Sequence, residues 1–280
     1  MQRAAGVSDE ASGRAAAAIR DHLREQHRLF FPHLPFIVVG AVDPEGAPWA
    51  TIQAGVPGFL SVPDPATLCV AAAREPTDPA DRGMEAGNAV GLLGIELPTR
   101  RRNRLNGTVL RDGPARYAVA VEQSFGNCAR FILPRHPVLT WPSEVPQEAP
   151  ARRSDGLDTD ARALVEAADT FFVASYVDGP DGHRQTDVSH RGGRAGFVHV
   201  DEQDCLTIPD LPGNGFFNTL GNIQITGKAG LLFVDFSTGN LLQLTGEADI
   251  LPGNGQDRRW RVRPLQVVVR PRASALRWDA

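Results

Sequence analysis

Apolar and polar positions along the chain fall into two β-patterned blocks, each introduced by a stretch of helical character. Residues 8–29 (SDEASGRAAAAIRDHLREQHRL) are rich in alanine, follow a candidate N-cap at Ser8 and place Ile19 and Leu23 four apart, which predicts a helix. From residue 35 the pattern changes to PFIVVGAVDPEGAPWATIQ, where apolar residues alternate across a DPEG turn. Short apolar runs broken by Gly and Pro continue to Val121. A Pro-, Glu- and Arg-rich stretch at 142–156 has a linker's composition. TDARALVEAAD (159–169) then predicts a second helix, and the β pattern resumes at FFVASYVDGPDG.

The second block repeats the first. GLLGIELPTRRRNRLNGTV (91–109) aligns without gaps on GLLFVDFSTGNLLQLTGEA (230–248) at an offset of 139, with six identities in nineteen pairs. Ordinary composition would give roughly one or two. Upstream, Gly58-Phe59-Leu60 meets Gly196-Phe197-Val198 at an offset of 138. A period of this length exceeds the roughly 20–50 residues of a solenoid unit. The pattern therefore predicts two helix-plus-barrel copies, 1–150 and 151–280, with superposable barrels near 36–121 and 171–270, fused as a pseudo-dimer. The interface between the copies is the first place to look for a ligand.

Composition narrows the function classes. Lys+Arg 29 against Asp+Glu 33 leaves no positive excess for nucleic acid. The charged N-terminal stretch offers no uninterrupted apolar run for a membrane span or signal, so a cytoplasmic protein is expected. Cys69, Cys128 and Cys205 form no CxxC pair and read as reduced, mostly buried thiols; no HExxH spacing or carboxylate cluster points to a metal.

Three stretches could carry chemistry. In TDVSHRGGRAGF (186–197), Ser189, His190, Arg191 and Arg194 lie on or just after a predicted strand. Arginines beside Gly192 and Gly193 suit a phosphate, because guanidinium donates in a fork and glycine lets backbone approach. A hairpin turn with solvated arginines is the competing reading. IPDLPGNGFFNTLGNI (208–223) adds Asp210, Asn214, Asn218, Thr219 and Asn222, and the amides of the three asparagines suit a phosphate, a polyol or a ring edge, although asparagine also caps turns. RRRNR (100–104) lies on a strand by the repeat, with Arg100, Arg102 and Arg104 sharing one face, to reach an anion or to guard an edge. Trp49 and Trp141 are either stacking platforms or core.

Across GAPWATIQAGVPGFL, QSFGNCARFI, DTFFVAS, SHRGGRAGFV and the segments above, the chain resembles the FMN-binding split-barrel family of pyridoxamine 5′-phosphate oxidase, in its two-barrel flavin-nucleotide-binding branch. The resemblance implies a mainly β fold with a few helices: tandem Greek-key split barrels, six-stranded, with FMN between them. It places Ser189, Arg191 and Arg194 on the strand meeting the flavin and Asn214 and Asn218 at the phosphate end. The oxidase's Arg-x-x-x-Leu-Lys and Tyr-Thr-Asn strands are absent, so pyridoxamine phosphate is not the expected substrate.

The expectation is a flavoprotein oxidoreductase acting on a small molecule. No GxGxxG follows a strand, so electrons would come from transiently bound NAD(P)H or a partner reductase. The rivals are a module that stores or senses FMN without turnover, and a split barrel using haem or a deazaflavin. The repeat also predicts one FMN per chain. Thr51, Ile52, Gln53 and Val56 stand opposite Ser189, His190, Arg191 and Arg194, and the first copy carries Glu75, Asp78, Asp81 and Glu85, expected to repel phosphate, where the second carries asparagines.

Overall fold

In a computed structural model of the chain, residues 17–111, 113–126, 128–140, 150–211, 217–253 and 258–278 are described. The first unit opens with helix α1 (Glu25–Phe30) and continues through β1 (Phe36–Val42), β2 (Pro48–Ala54), β3 (Leu60–Asp64), β4 (Thr67–Val70), a 3-10 turn at Pro79–Gly83, β5 (Ala89–Glu96), β6 (Arg101–Leu110) and β7 (Tyr117–Gly126). Two short strands follow, β8 (Pro137–Leu139) and β9 (Arg152–Ser154). The second unit has helix α2 (Thr159–Ala167), β10 (Thr170–Asp178), β11 (Arg184–Gly192), β12 (His199–Val200), β13 (Leu206–Pro209), helix α3 (Asn218–Thr226), β14 (Lys228–Val234), β15 (Leu241–Leu251) and β16 (Arg259–Arg270), and β17 (Leu276–Trp278) ends the chain.

The two main sheets have one topology. Strand order is β2-β1-β5-β6-β7-β4-β3 in the first and β11-β10-β14-β15-β16-β13-β12 in the second, so each strand has a counterpart in the same place. Register agrees as well: Leu92 pairs with Leu105 as Leu231 pairs with Leu244, and Val39 pairs with Thr51 as Val173 pairs with Ser189. The shared path has seven strands in each sheet rather than the six expected, and β9 adds an eighth to the second by pairing with β16.

Two helix expectations fare differently. The second helix forms over Thr159–Ala167, capped by the Asp158 carboxylate, which accepts from the Ala161 amide at 2.8 Å. The helix expected over 8–29 does not run through. Residues 8–16 lie outside the described part, residues 17 and 18 are helical, and Arg20 then forms a β-bridge with Ser124. Helix resumes only at Glu25. The long-range bridge and the burial of Leu23 against the first barrel's core outweigh alanine-rich local propensity.

Three apolar cores organise the molecule, and strand alternation assigns residues to them. Ile37, Val39, Ala41 and Leu92 fill the first barrel, while Phe171, Val173, Leu231 and Phe233 fill the second. Their neighbours Phe36, Val38, Leu93, Phe172, Ala174 and Leu232 point the other way and form a third core between the barrels. This explains why β1, β5, β10 and β14 read as continuous apolar runs: both of their faces are buried.

The barrels dock reciprocally, edge strand β11 against β5 and edge strand β2 against β14. Gly91 and Gly230, identical in the repeat, sit under those crossings. A Cβ at Gly91 would come within 2.8 Å of the Asp187 backbone, and one at Gly230 within 2.1 Å of the Pro48 carbonyl. The duplicated glycine is therefore a close-approach requirement of the docking.

Candidate functional site

The two crossings are equivalent in backbone and different in chemistry. Where β11 meets the first barrel, Arg104 Nη1 donates to both carboxylate oxygens of Asp187 at 3.1 Å, and Arg102 Nη1 lies 3.2 Å from His190 Nδ1. Arginine is only a donor, so His190 accepts at Nδ1 and carries its hydrogen on Nε2. Ser189 Oγ sits 2.9 Å from Thr219 Oγ1 on α3 and 3.3 Å from Asp187. Farther along β11, Arg191 donates to Asp210 at 3.4 Å, Arg258 donates to the other oxygen at 3.1 Å, and Arg191 lies over the Trp260 ring.

Four guanidiniums thus face two carboxylates, an excess of two positive charges in a largely buried place. Burial, reinforced by Arg102, Arg191 and Arg104, holds the His190 imidazole well below its ordinary range, so it is neutral. Burial and then Arg104 lower Arg102 to about 10, still protonated at neutral pH. Burial also lowers Arg191, with Asp210 opposing. Arg102 Nε, Arg104 Nε, Arg191 Nε and His190 Nε2 are buried without a hydrogen-bond partner. Such groups are costly unless something accepts from them.

At the other crossing the same positions hold different residues. Leu241 stands for Arg102, Gln243 for Arg104, Ile52 for His190 and Trp49 for Asp187. Leu241 and Ile52 belong to the apolar interface core. Gln243 Nε2 donates to the Ala50 carbonyl at 3.0 Å and to Asp78 at 2.9 Å, and Asp78 also accepts from Thr51 and from Arg270 at 2.8 Å. The acids expected to repel a phosphate are consumed internally: Asp78 by Arg270, and Asp81 by Arg74 at 2.9 Å with Arg111 at 3.9 Å.

Ser189, His190, Arg191, Asp210, Arg102 and Arg104 are therefore brought together. Asp210 serves as partner to two arginines. Arg194 does not join them; it is exposed in the turn after β11. Arg100 lies in the turn before β6 with φ 59°, so it does not share the face of Arg102 and Arg104. Asn218 opens α3 half-buried, and Asn222 donates to Ser175 Oγ at 3.1 Å, a helix-to-strand contact. Asn214 and Trp141 lie outside the described residues. Trp49 is no stacking platform: it is buried in the first barrel's core with Nε1 donating to Asp43 at 2.9 Å.

Sequence reasoning missed Asp187, Arg258 and Trp260. Asp187 was legible, since it alternates with Ser189 and Arg191 on one strand face. Arg258 carries no local signal, because only the pairing of β13 with β16 carries it to Asp210. The cysteines are free, with Cys205 buried and the other two half-buried. Among the described residues no group of three or more His, Cys, Asp or Glu could hold a metal, and no helix is long and apolar enough to cross a membrane. A cavity of about 720 Å³ lies elsewhere, in the first barrel's wall around Phe59, Cys69, Leu110 and Tyr117.

Two units built on one seven-strand path, docked edge to face through a shared apolar core, constitute a tandem split barrel. No family model matches the chain and no curated protein matches it. Among solved structures it is similar to HupZ of Group A Streptococcus (14% identity, TM-score 0.29, covering 37% of this chain and 93% of that one). It is also similar to an FAD-binding protein of Mesorhizobium loti (12%, TM-score 0.30, 44% and 99%). A third similar structure is the haem storage protein HutZ of Vibrio cholerae (10%, TM-score 0.26, 42% and 92%). Likeness at this level carries nothing about the ligand of this chain.

Proposed function

We propose that the chain binds one FMN at the crossing of β11 with the first barrel and works as a flavin-dependent oxidoreductase. The observation that carries the reading is the arginine cluster's two uncompensated positive charges, with orphaned donors, at one of two otherwise equivalent crossings. A phosphate monoester brings about −1.5 to −2 charge and three strong acceptors, which matches that excess. Arg191, the most exposed member of the cluster's Arg191–Asp210–Arg258 arm at 22%, would meet the phosphate first. Arg102, Arg104 and Ser189 would hold the flavin against the first barrel.

His190 supports flavin over haem. A haem ligand needs a bare ring nitrogen facing iron, whereas Arg102 occupies Nδ1 and leaves Nε2 as a donor. A donor suits the acceptor oxygens and nitrogens of a flavin. Bound FMN supplies hydride and single-electron chemistry; the protein's share is grip, orientation and a positive field that favours the reduced, anionic ring. The electron donor would be a diffusing nicotinamide or a partner reductase, since a nicotinamide-binding fold is not among the elements described.

The visible spectrum after mixing with FMN and desalting tests this directly. A retained flavin spectrum agrees with the reading. A haem spectrum from haem-supplemented protein that refuses FMN contradicts it.

A further inference from the structure

The cavity in the first barrel belongs to no part of the arginine cluster. At about 720 Å³ it lies within the roughly 300–1,000 Å³ of small-molecule pockets. The strand registers allow its wall to be compared with the second barrel residue by residue. On β6 and β7, Leu110 pairs with Ala118 and Thr108 with Ala120. The equivalent pairs on β15 and β16 are Asp249 with Arg261 and Glu247 with Arg263, both salt-bridged. The second barrel covers this face with long charged side chains. The first presents small or apolar ones, leaving Leu110 51% exposed beside a hollow. Exposed apolar concavity of this kind marks a binding surface.

Arg111 supplies a second, independent observation. It lines the cavity and stands where the repeat has Ile250. Its side chain is 5% exposed, and among the described residues its ion-pair partner is Asp81 at 3.9 Å, in a group where Arg74 also holds Asp81 and Glu85. Its Nε donates to the Met84 carbonyl at 3.2 Å, its guanidinium lies over the Tyr117 ring at 5.1 Å, and its Nη1 is buried without a partner. Arg116 also lines the cavity, and none of the described lining residues is acidic. A buried guanidinium donor without a partner next to an apolar wall favours a ligand with an apolar body and an accepting, negative head.

We infer that the first barrel holds a second small-molecule site for an amphipathic carboxylate, its tail on Leu110, Ala118 and Phe59 and its head toward Arg111. The site is independent of the flavin reading and stands or falls separately.

The probe is 8-anilinonaphthalene-1-sulfonate, an apolar fluorescent anion, competed by decanoate and by 1-decanol. In the unaltered protein decanoate should displace it at least roughly tenfold more effectively than 1-decanol, the share of one charge-assisted contact. The double variant Leu110→Asp/Ala118→Arg, which rebuilds the second barrel's charged cover, should weaken probe binding at least roughly tenfold. In Arg111→Ile the two competitors should become equal. Circular dichroism and the melting temperature establish that each variant is folded. Unchanged probe affinity in folded Leu110→Asp/Ala118→Arg would overturn the site. Equal competition by decanol and decanoate in the unaltered protein would overturn its acid preference. Retention of FMN is read on the same samples, so failure of one site is distinguishable from failure of the other.

Discussion

Substituting Arg104 by methionine keeps its packing length and removes its charge, leaving the Asp187 carboxylate in a place where it is only 4% exposed. Removing one partner of a buried ion pair costs about 3–5 kcal/mol, because the survivor keeps its desolvation penalty without its hydrogen-bonded counter-charge, and here only the longer-range attraction of Arg191 is left to Asp187. Ser189 Oγ at 3.3 Å is too long and weak a donor to replace two contacts at 3.1 Å. For a protein of this size each kcal/mol corresponds to about 2–4 °C, so the melting temperature should fall by roughly 6–20 °C. Asp187→Leu should cost a similar amount by orphaning Arg104. The double variant Arg104→Met/Asp187→Leu removes both charges and should recover most of the loss, giving a coupling of about 2 kcal/mol or more. The equivalent position offers a control. Gln243→Met removes neutral-donor bonds to Ala50 and Asp78, and Asp78 keeps Thr51 and Arg270, so the cost should be only about 1 kcal/mol. Urea unfolding followed by tryptophan fluorescence supplies the four free energies of the cycle. Single costs that add within about 0.5 kcal/mol would refute the claim that this pair joins the barrels.

Acid should loosen the same crossing. His190 is held below its ordinary pKa by burial and by Arg102, Arg191 and Arg104, so the unfolded chain binds its proton first and stability falls as pH drops below about 6.5, by up to about 1.4 kcal/mol per pH unit. His190→Gln keeps an acceptor for Arg102 and should flatten that slope between pH 7.5 and 5.5, leaving the smaller contribution of His27, which is lowered in the same direction by burial; an unchanged slope would contradict the assignment. Arg191→Ala should weaken FMN binding about tenfold to a hundredfold in a fluorescence titration, the value of one charge-assisted bond, and an unchanged dissociation constant would remove Arg191 from the phosphate grip.

Much of the fold could be read from the sequence because the duplication doubled every signal. Gly91 and Gly230 recur since each lies under the other barrel's edge strand, and the runs around Val38 and Phe172 recur since both of their faces are buried. The asymmetry of the crossings was also legible, in RRRNR against GNLLQ. The ends of local patterns were not. Alanine-rich spacing suggested a continuous helix that long-range pairing of Arg20 with Ser124 interrupts. Trp49 as a ring platform and Arg100 as a third strand arginine both failed for want of tertiary information. A tryptophan on an alternating strand can face either side, and the chain reaches β6 through a left-handed residue at Arg100 itself. The acids at 75–85 were read as repulsive, whereas Arg270, distant in sequence, pairs with Glu75 and Asp78, and the neighbouring Arg74 pairs with Asp81 and Glu85.

The central claim, one gripping crossing and one filled crossing, is tested most directly by counting flavin. After saturation with FMN and desalting, flavin released by denaturation is measured against protein concentration. The account predicts one FMN per chain in the unaltered protein and a ratio near zero in Arg102→Leu/Arg104→Gln, which copies Leu241 and Gln243 from the opposite crossing. A ratio near two would show that the Leu241–Ile52 crossing also takes flavin, and no retained flavin at excess FMN would contradict the assignment of the cofactor.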